Sequence, residues 1–308
     1  MKENSSAALG YTVLERGWLS CNNIVFTHGD HTAVVDTGYC THADQTRYLI
    51  RSALQGRTLS TIINTHLHSD HCGGNASLLE EYPAARLHIP PGHASEVARW
   101  DVQTLSYEPT GQLCPRFLHH SVLIPGSSIQ LGTRFWEIHA APGHDAHSVI
   151  LFEPESRTLI SADALWENGF GVVFQELEGE SAFDEVAFTL DLIERLAPRT
   201  VIPGHGLVFT DASAALSRAR SRLDKFVKEP VRHANYGAKV LLKYKLLEWQ
   251  RCTRQQLYRW VQQTPYFNIL HQRFFHDQPF DIWYQSLLTD LERSKAASQI
   301  DDLIINCD

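Results

Sequence analysis

Seven consecutive residues constrain this chain most: Thr65-His66-Leu67-His68-Ser69-Asp70-His71, followed by Cys72-Gly73-Gly74. Three histidines and a carboxylate within six positions is a metal-ligand density that ordinary core or surface sequence rarely produces. Neutral imidazole suits zinc and iron, and an added carboxylate favours a catalytic site over a purely structural one. The fold must therefore carry this run to a place where further ligands converge.

Those ligands are present. His144 lies in Ala141-Pro142-Gly143-His144, Asp163 in Ser161-Ala162-Asp163-Ala164, and His205 in Pro203-Gly204-His205-Gly206. Each follows short apolar segments that read as strands, at 135–138, at 149–152 with 158–160, and at 200–202. Ligands on Gly-rich turns at strand ends can meet on one rim of a sheet although they are far apart in sequence. Five histidines and two aspartates are too many for one tetrahedral ion. They suit two ions sharing a bridging carboxylate.

The ordered set H-x-H-x-D-H, P-G-H, A-D-A and P-G-H-G resembles the metallo-β-lactamase-fold hydrolase superfamily over roughly residues 11–210. P-G-H alone marks turns of many kinds, so the specificity lies in the seven-residue run and in the order of the four elements. The resemblance implies an α/β fold, the αββα four-layer sandwich. It places His66, His68 and His144 on a first metal, Asp70, His71 and His205 on a second, and Asp163 between them. Asp36, in Val34-Val35-Asp36-Thr37-Gly38, would orient a ligand histidine. The implied cofactors are two divalent ions, Zn first, with Fe or Mn open. The implied activity is attack of a metal-bound hydroxide, oriented by Asp70, on an ester, thioester or lactone. Position 163 is Asp where secreted β-lactamases of this fold carry Cys, which points to the glyoxalase II-like branch.

With 308 residues, 43% of them apolar and 20% charged, the chain reads as a large domain with an appendage. The expected division is a flexible tail at 1–10, the catalytic domain at 11–211 and a helical, or winged-helix-like, extension at 212–308. No apolar stretch approaches the ~18 residues of a membrane span, and no N-terminal apolar core of a signal peptide is visible. Six cysteines at irregular spacing, without a C-x-x-C pair, read as free thiols, so the expected compartment is cytoplasmic.

The pattern predicts strands at 13–14, 23–27, 32–36, 59–64 and 86–89, with helices at 42–55 and through Leu78-Leu79 up to Pro83. A helix at 180–196 has Ser181 with Asp184 as a capping pair and Phe183, Val186, Leu190 and Ile193 as its buried stripe. Helices follow at 212–228, 237–250, 253–263 and 281–294. Pro265, Asn268 and Pro279 break the pattern, and Leu303-Ile304-Ile305 forms a short apolar end.

Substrate selection falls to loops around the metal run. Candidates are Tyr39, His147, Trp166, Phe170 and Phe174; the last three fit an apolar substrate wall or interface packing equally well. Net charge is −8, yet residues 218–259 carry twelve Lys or Arg against three acids. That surplus fits either a solvated helical face against an acidic body or a grip on nucleic acid. A small acyl substrate is the expected partner, with oligomerisation open. A phosphodiesterase or ribonuclease, a ligand-sensing effector, and an iron oxygenase on the same scaffold stay open beside it.

Overall fold

The computed structural model describes residues 3–6, 10–29 and 31–307. A seven-stranded sheet runs in chain order: β1 (Glu3–Ser6), β2 (Tyr11–Leu14), β3 (Asn23–Phe26), β4 (Ala33–Val35), β5 (Thr61–Ile63), β6 (Arg86–Ile89) and β7 (Ser121–Val122). Pairing is antiparallel through β4 and parallel from β4 to β7. Parallel neighbours need crossovers, which carry α1 (Ala43–Leu54), α2 (Ser69–Cys72), α3 (Asn75–Glu81), α4 (Ala94–Arg99) and α5 (Tyr107–Thr110). A five-stranded sheet comprises β8 (Ser128–Leu131), β9 (Arg134–Ala140), β10 (Val149–Glu153), β11 (Thr158–Ala162) and β12 (Thr200–Pro203), ordered β12-β11-β10-β9-β8. Its one parallel pair, β11 with β12, is bridged by α6 (Phe174–Glu178) and α7 (Phe183–Leu196).

Side-chain alternation sets the four layers. Ile24 and Phe26 of β3 share one cluster with Trp136, Val149, Leu151, Ile160 and Ile202, so the two sheets face each other. Val25 points the other way, to Val34, Ile62, Ile50 and Leu54 beneath α1. On the far sheet, Ile150, Leu159 and Val201 turn outward onto Leu190 and Ile193 of α7. Each fully buried aliphatic side chain contributes roughly 1.5–3 kcal/mol, and a one-residue register slip would swap the faces.

The chain continues through α8 (Ala212–Lys228), α9 (Pro230–Trp249), β13 (Arg251–Thr253), α10 (Arg254–Gln263), α11 (Pro265–Phe274), α12 (Phe280–Arg293), β14 (Ala297–Ile300) and β15 (Leu303–Asn306). Leu216, Ala219 and Leu223 of α8 join the cluster of α7. A further core begins with α9, where Leu241, Leu242, Leu257, Phe267, Trp283 and Leu287 meet. No helix among the described residues is long and apolar enough to cross a membrane.

Several expectations are corrected. Residues 3–6, expected in a tail, pair with β2 as an edge strand, while residues 1–2 and 7–9 lie outside the described residues. Ser181 and Asp184 do not cap α7: its N-cap is Ala182, and Glu176 Oε1 accepts from the backbone N–H groups of Ala182 and Phe183 at 2.6 and 2.7 Å. A helix-borne carboxylate can reach those orphan donors as well as a local side chain can. Pro265 starts α11 instead of breaking the pattern, because proline at the first helical position gives up only an N–H that has no partner there. The apolar end 303–305 is a strand, central in a three-stranded sheet ordered β13-β15-β14.

Candidate metal centre

Strand ends deliver the candidate ligands. β5 runs into the loop carrying His66 and His68, and the single turn of α2 places Asp70 and His71. His144 follows β9, Asp163 follows β11 and His205 follows β12, so all three come from the same end of the second sheet. The ligand atoms gather into His66, His68 and His144, and into Asp70, His71, Asp163 and His205, all within 4.8 Å of one another in each group.

Asp163 joins the two groups. Its Oδ2 is 3.5 Å from His144 Nε2 and 3.8 Å from His205 Nε2, and its Oδ1 is 3.4 Å from His71 Nε2. His205 Nε2 lies 3.1 Å from Asp70 Oδ2, and the facing nitrogens of His68 and His144 converge to 2.8 Å.

Hydrogen bonds from outside assign the tautomers. His144 Nδ1–H donates to the Val172 carbonyl at 2.6 Å, and His71 Nδ1–H donates to Asp36 Oδ2 at 2.8 Å. The Thr65 hydroxyl donates to the same Asp36 oxygen at 2.7 Å, leaving its own oxygen to accept from His66 Nδ1–H at 3.2 Å. In their neutral forms all three rings therefore present an Nε2 lone pair inward. His66 Nε2, His71 Nε2 and His205 Nδ1 are buried with no hydrogen-bond partner among the described residues. Each such group costs about 1–3 kcal/mol; His66 Nε2 and His71 Nε2 face inward and fit the donor set of divalent cations, whereas His205 turns its Nε2, not its Nδ1, to Asp70 and Asp163.

Electrostatics agree with that fit. Burial first, then the neighbouring histidines His71, His68 and His144, push His66 well below its ordinary pKa, and burial with His68 brings His144 down to about 4. Both rings are thus neutral and able to ligate. Burial opposes ionisation of Asp163, but His205, His71 and His144 outweigh it and hold the carboxyl well below the usual range. His71 differs: burial opposes its charge, but Cys21, Asp163, Asp36 and Asp70 together more than reverse it, so an ion would have to displace a proton from its Nε2.

Two glycines make room. A Cβ at Gly171 would come within 2.3 Å of His144 Nδ1, and one at Gly204 within 2.2 Å of Asp163 Oδ1. Trp166 donates its indole N–H to Asp163 Oδ1 at 3.1 Å, and Trp18 stacks on the His205 ring at 5.3 Å.

The centre opens into a cavity of about 570 Å³. Trp166 and Phe174 line it; Tyr39, His147 and Phe170, expected beside the substrate, do not. Tyr39 is fully buried, with its hydroxyl donating to Glu248 and accepting from Leu113 N–H, both at 3.0 Å. His147 packs on His93 and Gly92, and Phe170 is core against Phe226. Sequence reasoning missed Trp18 and the α9 residues Tyr236, Val240, Tyr244 and Leu247, which close the cavity from above. No local signal marks them, since their faces read like any amphipathic helix.

Part of the basic surplus is spent within the molecule. Arg220 pairs with Asp191 and Glu194, Lys239 with Asp290, and Lys245 with Glu248, at 2.6 to 3.0 Å.

Comparison with known proteins adds to this geometry. The sequence profile described as Metallo-beta-lactamase superfamily matches residues 16–205. A hydroxyacylglutathione hydrolase of Synechococcus sp. (strain JA-2-3B'a(2-13)) is 29% identical over 191 residues, 61% of this chain and 64% of that protein. One from Legionella pneumophila (strain Lens) is 27% identical over 183 residues, 59% and 61% of the two chains. The matches thus span just over three-fifths of those relatives' length. A solved beta-lactamase domain protein from Burkholderia ambifaria superposes with a TM-score of 0.61 at 19% identity, covering 88% of this chain and 89% of its own.

Proposed function

Because this chain belongs to the metallo-beta-lactamase superfamily, we propose that it is a metal-dependent hydrolase of a thioester or a comparably activated acyl group. One observation carries the reading: two histidine–carboxylate groups joined through Asp163 open directly onto a largely apolar cavity. The named resemblance to hydroxyacylglutathione hydrolases supports a thioester above an ester or lactone.

His66, His68 and His144 would hold one divalent ion and Asp70, His71 and His205 the other, with Asp163 shared. Zinc suits this nitrogen-rich set best, and iron suits it next. Two such ions, when bound, make a shared water acidic and offset charge developing on the carbonyl oxygen. The chain's own part is positioning. Asp36 and the Val172 carbonyl hold the His71 and His144 rings at fixed orientation, and Trp166 fixes one oxygen of Asp163. Asp70, which lines the cavity, would orient the attacking water and accept its proton. The water oxygen bonds to the acyl carbon, the carbon–sulfur bond breaks, and the thiolate leaves with a proton from solvent or Asp70. Trp18, Phe174 and the α9 side chains shield the site from bulk water, and the cavity is of small-molecule size.

The nuclease alternative needs a free basic face, and the internal pairing of Arg220, Lys239 and Lys245 weighs against it. The deciding experiment is metal content per chain paired with turnover of a thioester, a lactone, a phosphodiester and a short RNA. Two ions with thioester turnover supports the proposal. One iron without hydrolysis, or phosphodiester cleavage alone, refutes it.

A further inference from the structure

The residues that lead into α6 serve the first histidine group. The Val172 carbonyl accepts from His144 Nδ1–H at 2.6 Å, and the Phe174 ring meets the His68 ring edge-on at 5.4 Å. Gly171 lets the backbone come this close, since a Cβ there would fall 2.3 Å from His144 Nδ1. Between Val172 and Phe174, the buried Val173 N–H turns the other way and donates to His233 Nε2 at 3.2 Å. His233 belongs to the first turn of α9, 60 residues further along the chain, and is 1% exposed.

The Val172 carbonyl and the Val173 N–H belong to one peptide group. That group is planar and trans, so its C=O and N–H point in opposite directions and turn together. Holding the N–H therefore fixes the carbonyl that holds His144. His233 is itself fixed: the Phe183 and Phe226 rings flank it at 5.2 and 4.7 Å. One turn along α9, a Cβ at Gly237 would fall 2.6 Å from Leu177 Cδ1, so α9 lies directly against α6. Burial brings the His233 pKa down to about 4, which keeps the ring neutral and Nε2 an acceptor. Without that acceptor a buried amide N–H is left unsatisfied. Turning the peptide to relieve it takes the Val172 carbonyl away from His144.

We propose that His233, from the helical extension, is a positioning residue for His144: through the 172–173 peptide it sets the orientation of the ring that completes the His66–His68–His144 group. This rests on the metal-centre reading above and gives α9 a part in the centre separate from walling the cavity.

The test uses protein with histidine isotope-labelled at its ring nitrogens, so that NMR reads each group separately as zinc is added to the metal-free protein. His233→Leu, which fills the space but offers no acceptor, should weaken zinc at His66–His68–His144 about 3- to 10-fold relative to the Asp70–His71–Asp163–His205 group. In the metal-free protein it should also move the His144 Nδ1–H signal, assigned by its loss in His144→Gln, upfield. His233→Gln, whose amide reaches the place of Nε2, should restore most of both. Leu54→Ala opens a cavity beneath α1, destabilises the fold without touching this peptide, and should change neither.

If His233→Leu does not fold, His233→Asn, whose amide stops at the place of Nδ1, makes the same comparison with His233→Gln. Equal weakening of both groups, an unmoved His144 signal, or no rescue by glutamine overturns the proposal. No zinc bound by wild type, with the His144 signal still following the side chain at position 233, overturns only the metal reading.

Discussion

Asp36→Asn isolates the orienting role of one buried carboxylate. Asp36 is 2% exposed and takes three donors: Thr65 N–H at 2.8 Å, the Thr65 hydroxyl at 2.7 Å and His71 Nδ1–H at 2.8 Å. Asparagine keeps the shape, tolerates the φ of +58° at this position, and retains an acceptor for Thr65 N–H. Its NH₂ then faces His71 Nδ1, which must become an acceptor, so the ring proton moves to Nε2, the atom turned toward Asp163. Binding an ion requires that proton to move back and the new hydrogen bond to break. That costs roughly 1.4–2.8 kcal/mol, or 10- to 100-fold in affinity. The loss should fall on the Asp70–His71–Asp163–His205 group. The other group feels it only through the Thr65 hydroxyl and His66. Metal content after equilibration with graded chelator should show one ion leaving first, while urea unfolding of the metal-free protein shows a loss of only about 1–3 kcal/mol. Two ions held as tightly as in wild type would refute the tautomer argument.

Asp163→Ala should lower occupancy in both groups, because its oxygens face His144 on one side and His71 and His205 on the other; elemental analysis showing two retained ions would refute the shared role. Gly204→Ala should destabilise the fold by roughly 1–3 kcal/mol and cut metal content, since its Cβ would meet Asp163 Oδ1 at 2.2 Å and His71 Cε1 at 2.8 Å; urea unfolding and metal analysis check both effects. His233 is buried, its Nε2 accepts from Val173 N–H at 3.2 Å, and burial pushes its pKa from 6.5 down to about 4. The unfolded chain therefore binds more protons than the fold between those values. Stability is fully present above pH 6.5 and falls as pH drops toward about 4, by up to about 3 kcal/mol from this group. His233→Gln should flatten that part of the pH–stability curve in urea titrations, and parallel curves would refute it.

The convergence of the candidate ligands was legible in the sequence because metal chemistry demands particular side chains at short spacing. His66, His68, Asp70 and His71 lie within one loop and one helical turn, and His144, Asp163 and His205 each end a strand recognisable by its apolar run. The sheets were legible for a similar reason: alternation in a segment such as Ile24-Val25-Phe26 encodes two faces locally. What Tyr39, His147 and Phe170 do was not, because an aromatic or a lone histidine near a motif reads the same whether it faces a cavity or a core. Tertiary packing decided that Tyr39 is sealed against Glu248 and Leu113 and that Phe170 meets Phe226. It also decided which nitrogen each histidine offers, through partners as remote as Val172, 28 residues from His144. The sequence by itself determined the donor set of the candidate centre, since donor identity is a property of residues. Only the tertiary structure decided the walls of the cavity over that centre, since α8 and α9 reach it by burying apolar faces whose partners no local pattern names.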